Sequence, residues 1–416
     1  MQNPKITRCR ACGNTELANA IDIGEQYLSS VFPDTLDYRS KLKKYPLDMV
    51  LCVKKSEHQC GLLQLANQLD LSGMYKEYPY TSSSNSSMKT ILKDVADSGM
   101  ALNHLKAGDV ILDIGCNDGT LLSYFAGKGY ELKGIDAAQN VQPVFLDPSY
   151  SFSRGFFSRE KFNEISPKKA RLIFSIAMFY HLDDPVAFSR DAADCLDAGG
   201  AWIIQMAYLP AMIETNMYDN IVHEHNGYYG IQSIEWVMEK AGLEVFDVLL
   251  NDVYGGSYRV FTQHRGGAFK KTERYWKYLE QEKKRNYFNP ETYQSFNRRI
   301  QKTREDLKRL LSELKKQGKS VWVYGASTKG NTILQYCGIG KGELTAAADA
   351  NPFKFGKFII GADIPIVDET EMRKVKPDYL LSLPYSFTNA FMAREAELVR
   401  GGTRFIKPLP EVKILP

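Results

Sequence analysis

No stretch of the chain carries the roughly eighteen consecutive apolar residues that a membrane-spanning helix needs, so no transmembrane segment is expected. The start, "MQNPKITRCRACGN", lacks the apolar core of a secretory signal, which leaves the cytoplasm as the expected compartment. A surplus of one charge sign is missing too. The 53 Lys and Arg against 49 Asp and Glu leave a net +4 over 416 residues, too little for a general nucleic-acid footprint. Cysteine and histidine are scarce, at seven and six residues, so their placement is informative. The rest, 44% hydrophobic and 25% charged, is ordinary globular composition. The length exceeds what one hydrophobic core supports, and roughly two or three domains are expected.

Four of the cysteines, Cys9, Cys12, Cys52 and Cys60, crowd the N-terminal end. In a reducing compartment such clustering points to metal before disulfide. "CRAC" has the Cys-x-x-Cys spacing at which two thiolates reach one tetrahedral zinc. Cys52 and Cys60, in "LCVKKSEHQCGLLQL", are more widely separated than in a tight zinc ribbon, and His58 could replace one thiolate. The plain alternative is four reduced cysteines with one accidental pair.

Residues 1–68 lack long helical periodicity and form the expected zinc-binding domain. From residue 69 to 265 helices alternate with apolar strands, which predicts an α/β domain with a doubly wound sheet. "SMKTILKDVADSGMALNHL" has helical spacing. Buried strands are expected at 171–177, 201–207 and 243–250, the last able to pair with 257–264. Residues 266–318 read as a helical connector: Asn289 is a candidate N-cap, Pro290 suits the first helical position, and Gly318 ends the run. The stripe Tyr293, Phe296, Ile300, Leu307, Leu310, Leu311 and Leu314 gives that helix its apolar face. A second, shorter α/β domain is expected over 319–416.

"ILDIGCNDGTLL" ends a buried strand at Asp113 and opens a helix after Gly119. Gly115 and Gly119 let a ligand approach the backbone at the carboxyl ends of the strands. Asn117 stands where the dinucleotide fingerprint has its middle glycine, which argues for a cofactor without phosphates. The next strand ends in Asp136, placed to accept both hydroxyls of a ribose. Together Asp113, Gly115, Asn117, Asp118, Gly119 and Asp136 form the expected cofactor site. This pattern resembles class I S-adenosylmethionine (SAM) methyltransferases.

"NIVHEHNGYYG" places two of the six histidines around Glu224. A His-x-His metal site, a polar loop without a role and an acid/base site are all open readings. In the last, one histidine takes a proton and Glu224 sets its tautomer or charge. His181, in "AMFYHLDDP", falls just past a strand tip on the same side. In "YGASTKGN", Gly325 and Gly330 allow close backbone approach and Lys329 offers charge, so the loop is either an anion site or a tight strand-helix turn; Asp349, Asn351 and Lys354 occupy a comparable loop in "DANPFKFGK".

Several segments occur in a telling order: "CRACG", "YPYTSSSNSSM", "DIGCNDGTLL", "YDNIVHEHNGYY", "YGGSYRV", "YGASTKGNTIL" and "DANPFKFGKFIIGADIPI". Over nearly its whole length the chain resembles the sugar C-methyltransferases that act on nucleotide-linked 4-keto deoxysugars. The resemblance implies a zinc-binding domain, a SAM domain and a C-terminal Rossmann-like domain that helps hold the nucleotide sugar. It implies His225 as the base with Glu224 its partner, and His181 with Tyr78 or Tyr80 in the polar lining. His223, Tyr228, Tyr229, Tyr254, Gly325, Ser327, Lys329, Gly330, Asn331, Asp349, Asn351 and Lys354 are the substrate contacts expected with it, Lys329 on a TDP or GDP diphosphate. Val222 departs from the family, which usually has an aromatic, commonly Tyr, at that position. The wide second cysteine pair departs as well. A monomer that contacts neither nucleic acid nor membrane completes the expectation.

Overall fold

The computed structural model describes residues 4–416 except 72, 74, 75, 77–79, 85, 103, 104 and 146. The expectation at Tyr78 therefore lies outside the described residues. Apolar runs too short for helices become the strands of a seven-stranded sheet. Its order is Leu243–Asn251, Ser257–His264, Leu196–Ala207, Ala170–Ile176, Val110–Ile114, Glu131–Asp136, Tyr150–Arg154. The last five are parallel; the first two are antiparallel and pair with each other, as their sequence predicts. Val110–Ile114 is buried at every position, as a central parallel strand covered on both faces must be. The helix Ser86–Met100 packs Met88, Leu92, Val95, Ala96 and Gly99 inward. After Gly119 only one turn of α-helix forms, Thr120–Ser123. Left-handed Gly127 and Gly129 end the irregular turns that follow and lead into the next strand.

A four-stranded antiparallel sheet holds the cysteine region: Leu17–Gln26, Tyr45–Cys52, Leu63–Leu65 and, from far along the chain, Gly227–Tyr228. The last strand belongs to the two-histidine segment. Leu63 pairs with Tyr228 and Gln64 with Gly227, and Leu65 N donates to Asn226 O at 3.0 Å.

The connector contains two helices, Glu273–Arg285 and Pro290–Lys316. Asn289 caps the second through Glu291 N, and left-handed Gly318 follows its end. Tyr293, Phe296, Ile300, Leu307, Leu311 and Leu314 are buried, with Thr303 completing the stripe. Each large apolar side chain contributes about 2 kcal/mol on burial, against about 0.3–0.5 for an exposed pair such as Lys302–Asp306. The buried face, not the charge pattern, holds this helix in place.

The C-terminal sheet has the order Phe358–Ile359, Ile364–Asp368, Ala347–Asp349, Val321–Tyr324, Tyr379–Ser382, Arg404–Lys407, Lys413–Leu415. Its five inner strands are parallel and its edges antiparallel. One apolar core runs from Leu47, Leu51 and Leu63 of the N-terminal sheet, through the long helix, to Val321 and Leu381 of this one. Among the described residues, no helix is long and apolar enough to cross a membrane.

Candidate active site and metal centre

The turn after Val110–Ile114 is built from backbone conformations its residues tolerate: Gly115, Asn117 and Gly119 all have positive φ. A Cβ on Gly119 would lie 2.8 Å from Phe145 Cε1, so a side chain there meets both strain and contact. Asp136 accepts Asn117 N at 2.7 Å and Ala138 N at 2.8 Å, one on each oxygen. Lone pairs remain for a ligand. Asp113 is buried, accepts no hydrogen bond among the described residues, and is pushed up to about 8 by burial and by Asp136 and Asp118.

Two loop residues depart from the expected cofactor contact. Asp118 spends its carboxylate on Thr120 (Oγ1 at 2.6 Å) and on Ser83 N at 2.8 Å. Asn117 accepts Ser82 N at 2.8 Å and donates to Tyr80 O at 3.1 Å. Their side chains anchor the segment at 80–84 over the loop, because short polar side chains satisfy backbone groups that no sheet pairs.

The segment Tyr218–Asn220 is a single 3-10 turn, and Val222–His225 forms a further turn in which His225 N donates to Val222 O. His225 is held by its Nδ1, 2.9 Å from Asn220 O. A carbonyl oxygen only accepts, so Nδ1 carries the proton and Nε2 keeps a free lone pair. Tyr228 donates to the same carbonyl at 3.0 Å. The ring stacks on His181, centroids 5.4 Å apart, and lies 4.1 Å from that of Tyr180. With Tyr180, Ala207, Tyr208, Met212 and Tyr228 it lines a small cavity beyond the end of strand Leu196–Ala207. Burial drives the His225 pKa well below the ordinary imidazole value; nearby His181 and Lys329 push the same way. His181 is lowered to about 4 by burial.

The other two members of "HEH" point elsewhere. His223 is 2% exposed, bonds Tyr45 O through Nε2 at 3.1 Å and is lowered to about 4, so it fastens the turn to the N-terminal sheet. Glu224 accepts Ser30 Oγ at 2.6 Å, and burial raises its pKa. The partner that orients His225 is thus the Asn220 carbonyl and not Glu224, since the tight turn sends adjacent side chains in different directions. Val222 is buried. Tyr229 is buried against Phe179.

At the metal centre the four sulfurs of Cys9, Cys12, Cys52 and Cys60 all lie within 4.8 Å of one another, with Cys9–Cys60 at 3.4 Å and Cys12–Cys52 at 3.5 Å. A zinc tetrahedron with bonds of about 2.3 Å has sulfur–sulfur edges near 3.8 Å, so the set fits. The long gap between Cys52 and Cys60 is a hairpin loop, and Cys52 N donating to Leu62 O at 2.9 Å keeps both cysteines at its base. His58 lies exposed in that loop, outside the cluster.

In the C-terminal domain Ser327 caps helix Thr328–Cys337 through Gly330 N at 3.0 Å. Asn331 donates to Ser29 O at 2.6 Å, which ties this loop to the N-terminal domain. Asp349 accepts Ala326 N and Asn351 N at 2.8 Å each, and Lys354 bonds Asp349 and Ala326 O. Asp349, Asn351 and Lys354 thus brace two loops against each other. Lys329 turns inward, 5.4 Å from the Tyr254 ring centroid. Tyr254 itself has a left-handed backbone.

Three family models match in series: a zinc binding domain at 9–75, a methyltransferase domain at 88–248 and a C-methyltransferase C-terminal domain at 252–410. C-methyltransferase NovU of Streptomyces niveus is 28% identical over 412 residues, 99% of this chain and 97% of its own. The chain is a methyltransferase similar to the C-methyltransferases. A ubiquinone biosynthesis O-methyltransferase of Hydrogenovibrio crunogenus is 25% identical over 32% of this chain and 61% of its own. Among solved structures, magnesium protoporphyrin IX methyltransferase of Synechocystis is 15% identical, covering 43% of this chain and 88% of its own at a TM-score of 0.33.

This methyltransferase depends on SAM, and its own residues fit that cofactor. SAM carries an ammonium, a sulfonium and a ribose diol; Asp113 is a buried carboxyl without a donor, and Asp136 has acceptor capacity left. The four cysteine sulfurs fit a structural zinc. Sequence reasoning missed several positioning groups of the methyltransferase. They are Asn220, through its carbonyl; Asn226, which donates to His181 O at 2.8 Å; and Asp219, which accepts Tyr385 Oη at 2.9 Å. Asn226 was visible beside "HEH"; a backbone carbonyl leaves no signal in side-chain types.

Proposed function

We propose that this enzyme transfers a methyl group from SAM to the carbon alpha to the ketone of a nucleotide-linked 4-keto-deoxysugar, at carbon 3 rather than carbon 5. The single observation that carries the reading is the Nδ1 bond from His225 to Asn220 O, which leaves Nε2 with a free lone pair on a ring that lines an apolar and aromatic cavity. A saturated sugar carbon has no lone pair to offer a methyl donor. A ketone acidifies the neighbouring C–H bond, and a neutral imidazole can take that proton near neutral pH. Burial keeps His225 neutral. SAM supplies the methyl group as a sulfonium electrophile, held by Asp113, Asp136 and the backbone around Gly115 and Gly119. His181, Tyr80 and Tyr228 line the approach to the sugar, and Glu224 holds the turn through Ser30.

In this reading the zinc-binding domain at 1–68 buttresses the catalytic turn, 69–265 binds SAM, 266–318 connects, and 319–416 holds the nucleotide, TDP or GDP. The loops at Gly325–Asn331 and Asp349–Lys354 face that ligand with their backbones. A single cytoplasmic chain without nucleic-acid or membrane contacts is proposed as the working unit.

The experiment is incubation with SAM and a TDP-4-keto-6-deoxyhexose in heavy water, followed by NMR and mass measurement of the sugar. Deuterium at the alpha carbon and then a carbon-bound methyl are expected, with the NMR couplings assigning carbon 3 or 5. A methoxy product would replace this reading with sugar O-methylation. His225→Ala should abolish both exchange and transfer while SAM still binds.

A further inference from the structure

Lys329 is a half-buried cation that makes no salt bridge among the described residues. It lies in the first turn of helix Thr328–Cys337, where the helix dipole disfavours positive charge. Among the described residues its ammonium makes no hydrogen bond and no salt bridge, and it lies over the face of Tyr254, 5.4 Å from the ring centroid. Burial lowers its pKa, and the carboxylate of Asp219, the nearest compensating charge, is committed to Tyr385 Oη at 2.9 Å. A cation partly withdrawn from water and without a hydrogen-bonding partner is placed to meet an anion or a developing negative charge.

The position of that ammonium narrows the choice. Helix Thr328–Cys337 packs against the turn Tyr218–Asn220, with Tyr218 Oη 3.5 Å from Cys337 Sγ, and Lys329 adds to the depression of the His225 imidazole. A base that removes a proton from carbon and a donor that meets the adjoining oxygen stand near one another in this way, across a ligand. Asp219 precedes Asn220, whose carbonyl holds Nδ1 of His225, so one 3-10 turn sets the position of both groups.

We propose that Lys329, supplied by the C-terminal domain, is a catalytic residue whose ammonium hydrogen-bonds the enolate oxygen while His225 removes the alpha proton. The assignment rests on the enolisation reading above. As Nε2 takes the proton, the C–H pair becomes the carbon–carbon double bond and the carbonyl π pair moves onto oxygen, facing the ammonium. When the alpha carbon later gains its methyl group, that pair returns to the carbonyl and the ammonium keeps its own protons. Such a donor acts where charge develops, and losing one costs on the order of 100-fold in rate. A lysine that only grips the diphosphate would bind ground state and transition state alike and would show in KM.

The test compares the wild-type protein with Lys329→Met on the TDP-4-keto-6-deoxyhexose, reading alpha-deuterium exchange in heavy water, kcat, KM and SAM affinity. Exchange and kcat should fall about 100-fold with KM and SAM affinity within a few-fold of wild type. A rise confined to KM, with exchange unchanged, would overturn the proposal and return Lys329 to the diphosphate. If the Met variant no longer bound SAM, Lys329→Ala with and without added ethylammonium decides: rescue of exchange supports the proposal, and none refutes it. Wild-type protein that methylates carbon without exchange at any alpha position, even with SAM absent, would sink the enolisation reading and this assignment with it. Exchange in both proteins at equal rates would sink only the assignment.

Discussion

At residue 225 the two ring nitrogens have separate tasks, and the chain divides them with a backbone group. Nδ1 gives its proton to Asn220 O, and burial, with His181 and Lys329 nearby, keeps the ring uncharged well below the usual pH. The active form of a base is its neutral form, so rate falls as pH drops through its pKa. With SAM saturating, kcat/KM for the sugar should stay level as pH falls to about 6.5, where a free imidazole is half protonated, and decline only below it. An acid limb at or above that value would mean that His225 is not the titrating base. The sequence made the "HEH" cluster conspicuous, since two of six histidines sit there. Residue types alone left open which histidine faces the cavity, because that depends on the turn at 222–225; only the family resemblance pointed to His225. Nor could it expose the Asn220 carbonyl, which any residue type would provide.

Among the elements, the long apolar runs were the most legible: buried parallel strands such as Val110–Ile114 carry their environment in composition alone. Caps were legible too, with Asn289 and Gly318 bounding the long helix. The N-terminal hairpins were harder. Leu17–Gln26 alternates imperfectly because its pairing with Tyr45–Cys52 shifts register twice, and Gly227–Tyr228 is too short for any periodicity. Yet that two-residue strand joins the metal centre to the catalytic turn. Cys60 precedes Leu63–Leu65, Arg10 of the "CRAC" loop donates to Leu65 O and Asn67 O, and the same strand pairs with Gly227–Tyr228. Cys12→Ser should therefore slow methyl transfer on the order of 100-fold by misplacing His225, while SAM affinity, set on the other sheet, changes little. Zinc content and SAM titration, measured alongside turnover, check this. A zinc-free protein with full turnover would uncouple the two sites.

On the scale of the whole molecule, sequence reading anticipated a linear series of domains, and the structure folds the series back on itself. The first and last domains share one apolar core and meet again at Tyr38, whose hydroxyl accepts Gly361 N at 2.8 Å and donates to Asp363 Oδ1 at 2.6 Å. Such long-range closure has no local signature. Tyr38→Phe leaves an amide and a carboxylate short of a partner and should cost about 1–3 kcal/mol, read as a lower denaturation midpoint with an unchanged slope. No loss at all would mean that water or Arg39 replaces the hydroxyl. The four-stranded sheet has a further consequence, for the order in which a nascent chain can fold. Its strand Leu63–Leu65 leaves the ribosome early, but the partner Gly227–Tyr228 follows only after all five parallel strands of the SAM-binding sheet have been made. Until then the cysteine domain carries an open edge, and the turn that holds His225 does not yet exist. Completing that edge and forming the proposed active site are one event in the life of the chain.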